Sequence, residues 1–423
     1  LNNGLEITEP PALSATVVKS DITCHGAADG RITVTNPLGG YGTYEFSNGL
    51  SGWQTSNVFP GLESGLYTVR MRDRLRPTCV LDLGDIEIIE PGPLSASLQS
   101  TSIDCYNANN GTITISSPLG GSGSYQYTIN GGATWEGSGN YINLIPGSYD
   151  VRMRDAINTA CVLILNANLV LTQPEILSAT ANRTNVTCHG SDDGTITVSG
   201  ADGGSGSFEY TIDGGINWQP TGNFTGLGPG YYNVRIRDAN NHACVIIINS
   251  SLAITEPAAL NAILSRTNIT CNGADNGTIT ISSPTGGYGT YEFTIRGNTG
   301  WQSSGSFTNL PPDTYDVRMR DASQPACVTI LNSSLTISEP GPLAATLTHA
   351  NVTCHGAGNG TISVTGAAGG SGTYEYTVSG GAPWVGSGIF TNLSPGNYTV
   401  LLRDAVNRDC ILPLGSVVIT QPD

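Results

Sequence analysis

The stretch PGYYNVRIRD, at residues 229–238, carries the clearest strand signal in this 423-residue chain. Apolar and polar side chains alternate along it, which places Tyr232, Val234 and Ile236 on one face of a strand. The Pro-Gly pair before them marks a turn. The pattern occurs four more times, as SGLYTVRMRD at 64–73, PGSYDVRMRD at 146–155, PDTYDVRMRD at 312–321 and PGNYTVLLRD at 395–404. All three methionines fall at the same inward position, at Met71, Met153 and Met319.

Cysteine and tryptophan positions give the period of this repetition. The first cysteine of each unit is Cys24, Cys105, Cys188, Cys271 or Cys354, and the second is Cys79, Cys161, Cys244, Cys327 or Cys410. Each unit also has one tryptophan, at Trp53, Trp135, Trp218, Trp301 and Trp384. A fixed period near 83 residues indicates an array of small domains, because a single large core has no such repetition.

Each unit closes with a strand-like run that ends in Pro, such as LVLTQP before residue 175. The opening LEITEP resembles the same closing run, so residues 1–10 are expected to be the last strand of a preceding repeat. The predicted repeats are 11–91, 92–174, 175–257, 258–340 and 341–423.

The fold predicted for each unit is an antiparallel β-sandwich of the immunoglobulin-like type. About seven short strands, separated by Gly-rich and Asx-Gly turns, follow one another without any helical pattern. The Tyr of each PG-x-Y strand resembles a tyrosine corner, whose hydroxyl bonds back to nearby backbone. Pro-containing junctions of almost zero length predict that the five sandwiches extend in line as an elongated rod.

Composition excludes several classes of partner. The net charge of -16 and a single lysine, Lys19, leave no basic cluster to neutralise nucleic-acid phosphates. The longest apolar runs, such as CVIII at 244–248, have the length of a strand and not of a membrane span. We therefore expect no nucleic acid and no membrane insertion in this segment.

Two cysteines in every unit predict one disulfide per repeat and an oxidising, extracellular compartment. The count favours pairing inside each repeat; bonds across a boundary, such as Cys79 with Cys105, and free buried thiols are the alternatives. The spacing does not suit zinc, which prefers CxxC-like clusters. The predicted bonds are Cys24–Cys79, Cys105–Cys161, Cys188–Cys244, Cys271–Cys327 and Cys354–Cys410.

The combined motifs resemble the SprB repeat, named for a gliding-motility adhesin of Bacteroidota. They read C-H-G-x-x-(D/N)-G-T-I-T-V, GG-x-G-x-Y-x-Y, L-x-P-G-x-Y-x-V-R-x-R-D, a second Cys and I-T-(E/Q)-P, with the second unit departing as CYN at 105–107. The resemblance implies a very large cell-surface protein, exported by type IX secretion and moved by the gliding machinery. Other secreted Bacteroidota proteins also have such repeats.

Motifs that could carry chemistry have structural alternatives. His25, His189 and His355 suggest metal ligands, but Tyr106 and Asn272 replace them in the other units, which favours a turn role. The GG-x-G segments lack the lysine and helix of a phosphate-binding loop. No Ser-His-Asp set recurs, so no catalytic residue and no cofactor is predicted. Calcium is the one metal considered, with candidate ligands Asp73, Asp155, Asp238, Asp321 and Asp404; the alternative is that these carboxylates cap the following turn.

Three functions fit these observations. The leading hypothesis is a non-catalytic stalk or filament segment of a bacterial surface adhesin, whose partners are its neighbouring repeats and the gliding or surface-anchoring machinery. The second makes each repeat a carbohydrate-binding module for surface polysaccharide, with the five tryptophans as stacking platforms; a partly buried Trp at the sandwich edge is the structural alternative. The third is the stalk of an extracellular enzyme whose catalytic domain lies outside residues 1–423.

Overall fold

The computed structural model describes Gly4 and residues 6–423, and within this part of the chain all regular structure is β-strand. Six strands recur in each repeat, one fewer than the seven predicted. In the first repeat they are β1 Ser14–Ser20, β2 Gly30–Leu38, β3 Tyr44–Ser47, β4 Val58–Leu62, β5 Gly65–Asp73 and β6 Val80–Ile88. In the second they are β7 Ser95–Thr101, β8 Gly111–Leu119, β9 Tyr125–Thr128, β10 Asn140–Leu144, β11 Gly147–Asp155 and β12 Val162–Leu171.

The other three repeats have the same order and nearly the same lengths. The third comprises β13 Ser178–Thr184, β14 Gly194–Asp202, β15 Phe208–Thr211, β16 Asn223–Leu227, β17 Gly230–Asp238 and β18 Val245–Ile254. The fourth comprises β19 Asn261–Thr267, β20 Gly277–Thr285, β21 Tyr291–Thr294, β22 Ser306–Leu310, β23 Asp313–Asp321 and β24 Val328–Ile337. The fifth comprises β25 Ala344–Ala350, β26 Gly360–Ala368, β27 Tyr374–Thr377, β28 Ile389–Leu393, β29 Gly396–Asp404 and β30 Ile411–Ile419.

Each repeat forms two three-stranded antiparallel sheets. The first, second and fourth strands make one sheet, and the third, fifth and sixth make the other. This is the immunoglobulin arrangement of strands A, B and E facing C, F and G, without strand D. The predicted fold class, an all-β array of immunoglobulin-like repeats, is therefore confirmed.

Alternation along the strands builds the core between the two sheets. In the first repeat, Ile32 and Val34 of β2 face Val69 and Met71 of β5, and all four side chains are completely buried. Met153 and Met319 are equally buried at the matching positions. The methionine position predicted to lie in the core does so.

The tyrosine corner is present in all five repeats. Each hydroxyl donates a hydrogen bond to a backbone carbonyl four residues upstream, at 2.7–2.9 Å. The bond fixes the turn that enters the fifth strand. The pairs are Tyr67 with Glu63, Tyr149 with Ile145, Tyr232 with Gly228, Tyr315 with Pro311, and Tyr398 with Ser394.

The structure consists of two compact units. The first contains the chain up to residue 180 together with 199–221 and 235–248, and the second contains 181–198, 222–234 and 249–423. The third repeat contributes to both.

Of the predicted closing strand at residues 1–10, residues 1–3 and 5 lie outside the described part, and residues 6–10 are exposed and form no strand.

The predicted pairing of cysteines within repeats is wrong. The four disulfides are Cys24–Cys161, Cys105–Cys244, Cys188–Cys327 and Cys271–Cys410, so each joins one repeat to the next. The first cysteine follows the first strand, at the end of the sandwich where the repeat finishes. The second cysteine follows the fifth strand, at the opposite end. The nine residues of a fifth strand span about 30 Å, whereas a disulfide needs Cα atoms within about 7 Å.

Candidate functional site

The junction between consecutive repeats brings together the most distinctive chemistry of the chain. The Cα atoms of the bonded cysteines lie 5.3–5.4 Å apart in all four cases. Each second cysteine is nearly inaccessible, with 7–8% of Cys161, Cys244, Cys327 and Cys410 exposed. Two of the bonds lie within the first compact unit and two within the second. The junctions are therefore repeated, closely similar covalent connections.

The loop that carries the first cysteine is held by the closing motif of its own repeat. In the first repeat the backbone N–H of Gly26 donates to Glu90 Oε1 at 2.5 Å, and His25 Nδ1 lies 3.0 Å from the same oxygen. Glu or Gln at this position explains the I-T-(E/Q)-P motif, because either side chain offers the acceptor. The same bond joins Asn107 to Gln173, Gly190 to Glu256, Gly273 to Glu339, and Gly356 to Gln421.

This geometry supports the turn role of the histidine position. His189 lies 3.1 Å from Glu256, while Asn272 at the equivalent position donates to the carbonyl of Pro340. Both side chains connect the first-cysteine loop to the closing motif that follows the sixth strand. Among the described residues, no group of three or more His, Cys, Asp or Glu is arranged to hold a metal ion.

The opposite end of each sandwich contains a buried carboxylate. Asp155, completely buried at the end of β11, accepts hydrogen bonds from Ser122 Oγ at 2.8 Å and from the N–H groups of Ile157 and Asn158, both at 2.8 Å. Its second oxygen accepts from Ser122 N at 2.5 Å. Burial raises the pKa of Asp155, but the N–H groups of Asn158 and Ser122 and the Ser122 hydroxyl outweigh it, so the net pKa is lowered. The carboxylate thus joins the GG-x-G loop to the turn after the fifth strand.

The GG-x-G loops are shaped around this carboxylate. A Cβ atom on Gly40 would lie 2.3 Å from Asp73 Oδ2, and Gly40 has φ of +62°, so only glycine fits there. Gly121, Gly204, Gly287 and Gly370 make the same approach to the equivalent aspartates, at 2.3–2.4 Å. The loop that resembled a weak phosphate cradle in the sequence instead encloses an internal anion.

The same contacts bear on the calcium candidates. Both oxygens of Asp73, Asp155, Asp238, Asp321 and Asp404 face N–H or O–H donors, which favours the capping alternative because donors repel a cation. Asp29, a second carboxylate of the first repeat that could supply oxygen ligands, lies at the other end of the sandwich. There it accepts from Thr23 N at 2.9 Å and from Thr23 Oγ1 at 2.5 Å. One ion cannot bridge Asp73 and Asp29 within a repeat.

The five tryptophans share one arrangement on the outer face of the second sheet. In the fifth repeat, Arg403 Cζ lies 4.3 Å from the ring centroid of Trp384, and Arg403 Nε donates to Glu375 Oε2 at 2.7 Å. Each ring is half-buried. The equivalent pairs are Arg72 over Trp53, Arg154 over Trp135, Arg237 over Trp218 and Arg320 over Trp301, at 4.3–4.5 Å.

This arrangement is a cation–π contact supported by a charge-assisted hydrogen bond. The third strand supplies the acceptor, which is Glu45, Gln126, Glu209, Glu292 or Glu375. The guanidinium covers one face of each indole, so that face cannot stack on a sugar. The sequence did contain a signal for the cluster, since an Arg always precedes the buried Asp and a Glu or Gln always lies between two aromatic residues of the third strand.

Comparison with known proteins agrees with the repeat pattern. The SprB repeat model matches residues 16–50, 97–134, 180–217, 264–300 and 346–383. The chain contains five SprB repeats. The matches cover most of the first strand and the second and third strands of each repeat, and they end just before its tryptophan. The family assignment made from the motifs is confirmed. No curated protein matches the chain.

Several solved multidomain structures are similar to this SprB-repeat chain. Domains 4–9 of the surface layer protein SbsC are 11% identical, with 97% of this chain and 82% of that chain covered and a TM-score of 0.22. A tetra-tandem repeat from the extending region of a large adhesion protein is 13% identical over 77% and 98%, with a TM-score of 0.22. The four N-terminal Ig domains of Dscam1 isoform 9.44 are 12% identical over 78% and 100%, with a TM-score of 0.20. The fold assignment rests on the strand topology.

No helix among the described residues is long and apolar enough to cross a membrane.

Proposed function

We propose that this chain is a non-catalytic, load-bearing stalk segment of a large extracellular surface protein. The observation that supports it is the disulfide connectivity, because every bond joins neighbouring repeats. Tension that passes from one SprB repeat to the next is then carried by a covalent cross-link as well as by the backbone. Bonds inside repeats would strengthen each sandwich and leave the junctions with backbone alone.

The overlapping bonds also limit how far the chain can be stretched. From Cys24 the shortest covalent path crosses to Cys161, follows the backbone to Cys188, crosses to Cys327, returns to Cys271 and crosses to Cys410. This path contains about a fifth of the backbone residues between Cys24 and Cys410, and an extended chain spans at most about 3.6 Å per residue. A stalk with this connectivity unfolds under load without becoming long.

Single-molecule pulling from the two termini tests this proposal. The oxidised chain is expected to reach less than about a third of the final extension of the chemically reduced chain, because the disulfides exclude most of the backbone from the stretched path. The double variant Cys79→Ser/Cys354→Ser is the matched control, since neither cysteine is bonded in the structure, and it should extend like the unmodified protein. Equal extension of oxidised and reduced chains would contradict the proposal.

Finer assignments follow from the SprB resemblance. We propose display at the cell surface of a member of the Bacteroidota, export by type IX secretion, and attachment to the gliding or surface-anchoring machinery. Antibodies against this segment should then label intact cells, and labelling only after lysis would count against surface display.

The carbohydrate-binding alternative depends on accessible indole rings. The structure places an Arg guanidinium over each ring, which favours a role in holding the third and fifth strands together. A glycan array compares the chain with a variant in which all five tryptophans are alanine. Retention that the substitutions abolish, in a variant that stays folded, would support polysaccharide as a partner.

A further inference from the structure

Each repeat has a first cysteine, after its first strand, and a second cysteine, after its fifth strand. Two cysteines of the described chain are unbonded, and they are one of each kind. Cys79 is the second cysteine of the first repeat, and Cys354 is the first cysteine of the fifth repeat; both are exposed. The four bonded second cysteines are only 7–8% exposed. Cys79 and Cys354 therefore present the two complementary halves of the connection seen at the four junctions.

Both half-sites already have the local structure of the bonded ones. The carbonyl of Cys79 accepts from Asp73 N at 3.2 Å, as the carbonyl of Cys161 accepts from Asp155 N at 3.0 Å. Around Cys354 the backbone N–H of Ala357 donates to the Cys354 carbonyl at 3.1 Å, which is the turn seen after every other first cysteine. The loops thus hold the geometry of a junction without the neighbouring repeat.

The closing-motif bond is also formed at the fifth repeat. The N–H of Gly356 donates to Gln421 Oε1 at 3.1 Å, and Thr353 N donates to Asn359 Oδ1 at 3.0 Å. These are the bonds that hold the first-cysteine loop at each of the four junctions. A docking surface that is formed in advance loses little conformational entropy when its partner binds.

We propose that Cys79 and Cys354 are attachment points for further SprB repeats, each forming the same inter-repeat disulfide as the four internal bonds. Cys79 forms its disulfide with the first cysteine of another repeat, and Cys354 forms its disulfide with the second cysteine of another repeat. Two thiols lose two protons and two electrons to a disulfide oxidant, and one S–S bond forms. The inference rests on junction geometry and not on the mechanical role, so either can fail without the other.

A second copy of this chain serves as the probe. The variant Cys79→Ser retains only Cys354 as an unbonded thiol, and Cys354→Ser retains only Cys79. We expect a mixture of the two, in a buffer of oxidised and reduced glutathione, to form one covalent dimer on a non-reducing gel, while each variant alone stays monomeric. The unmodified chain should give a ladder of multimers, and peptide mapping should identify a Cys79–Cys354 link.

Two results would overturn the proposal. One is dimerisation of each single variant as fast as the mixture. This result would mean that two first cysteines or two second cysteines bond as readily as one of each. The other is a mixture that stays monomeric while both thiols react with a small alkylating reagent. Repeating the mixture in denaturant provides the control for geometry, because unfolded chains should lose the preference for the mixed dimer.

Discussion

At the scale of single residues, the buried aspartate of each repeat supplies the clearest prediction. Asp404 is completely buried and accepts from Ser371 Oγ, Val406 N and Asn407 N, each at 2.8 Å, and from Ser371 N. Replacing Asp404 by Asn directs an amide N–H₂ group at these donors. We expect Asp404→Asn to destabilise the fifth repeat by about 2–3 kcal/mol, because a buried donor is left unsatisfied. Hydrogen exchange at Ser371, Val406 and Asn407 should become faster.

The neighbouring Asp409 provides the control, since its side chain is exposed and Asp409→Asn should leave exchange at these amides unchanged.

The buried carboxylate of Asp404 also predicts a pH dependence of stability. Burial raises the pKa of Asp404, but the hydrogen bonds from Asn407 N, Ser371 and Val406 N lower it by more. The net pKa therefore lies below its ordinary value. Its stabilising contribution is therefore complete above the unfolded pKa near 4 and is lost as the pH falls through the folded pKa. Protection that stays constant as the pH falls below the unfolded pKa would contradict this assignment.

Sequence reasoning reached part of this residue-level structure. It predicted the buried methionines and the tyrosine corner, and it gave the capping role of the aspartate that ends the fifth strand as the alternative to calcium binding. It missed the partner loop, because the GG-x-G segment lies 33 residues before the carboxylate it binds. The role of Glu90 was missed for a similar reason: the acceptor lies 64 residues after Gly26. Local patterns indicate local bonds, and these two bonds exist only once the sandwich has folded.

At the scale of strands, the Trp-Arg-Glu cluster connects the third strand to the fifth. In the fifth repeat Arg403 is 17% exposed, bonds Glu375 of β27 and covers Trp384. A lysine keeps the charge but loses the planar guanidinium that both stacks and bonds. We expect Arg403→Lys to destabilise the pairing of β27 with β29 by about 1 kcal/mol, measured as faster hydrogen exchange in β27.

Arg408 is the matched control for this substitution. It lies 3.5 Å from the same Glu375, but its side chain is 64% exposed, and surface ion pairs of this kind contribute little. Arg408→Lys should therefore leave exchange in β27 unchanged. Equal effects of the two substitutions would mean that charge alone, and not stacking, holds the strands.

The strand pattern itself was largely predictable, and its connection to the next repeat was not. Alternation predicted the buried face of β17, where Val234 and Ile236 are fully buried. Cysteine number could not decide the pairing, since two per repeat is even for bonds within a repeat and for bonds between repeats. The strand order decides it, because the two cysteine loops lie at opposite ends of the sandwich.

At the scale of the whole molecule, the disulfides change what unfolding of one repeat can do. Each bond closes a loop of 137 or 139 residues, and in the chain-entropy model such a loop stabilises by about 5 kcal/mol. The loops overlap, so the second, third or fourth repeat, when unfolded, stays tethered by disulfides to folded neighbours on both sides. Stability of the SprB array is then a property of connected repeats, as expected where each unit contacts only its neighbours.

The elongated shape remains a prediction from the sequence, and small-angle scattering can test it. A sandwich with strands of ~8 residues, at ~3.3 Å per residue plus loops, is roughly 35–40 Å long, so five in line would extend roughly 170–200 Å. The oxidised chain should show this maximum dimension, because each disulfide joins the finishing end of one sandwich to the starting end of the next. Reduction should broaden the distribution of lengths, since the Pro-containing backbone alone then sets the junction angle. The control is Cys79→Ser/Cys354→Ser, which should scatter like the unmodified chain, and a maximum dimension of roughly 60–70 Å, as for a compact particle of this mass, would rule out the in-line array.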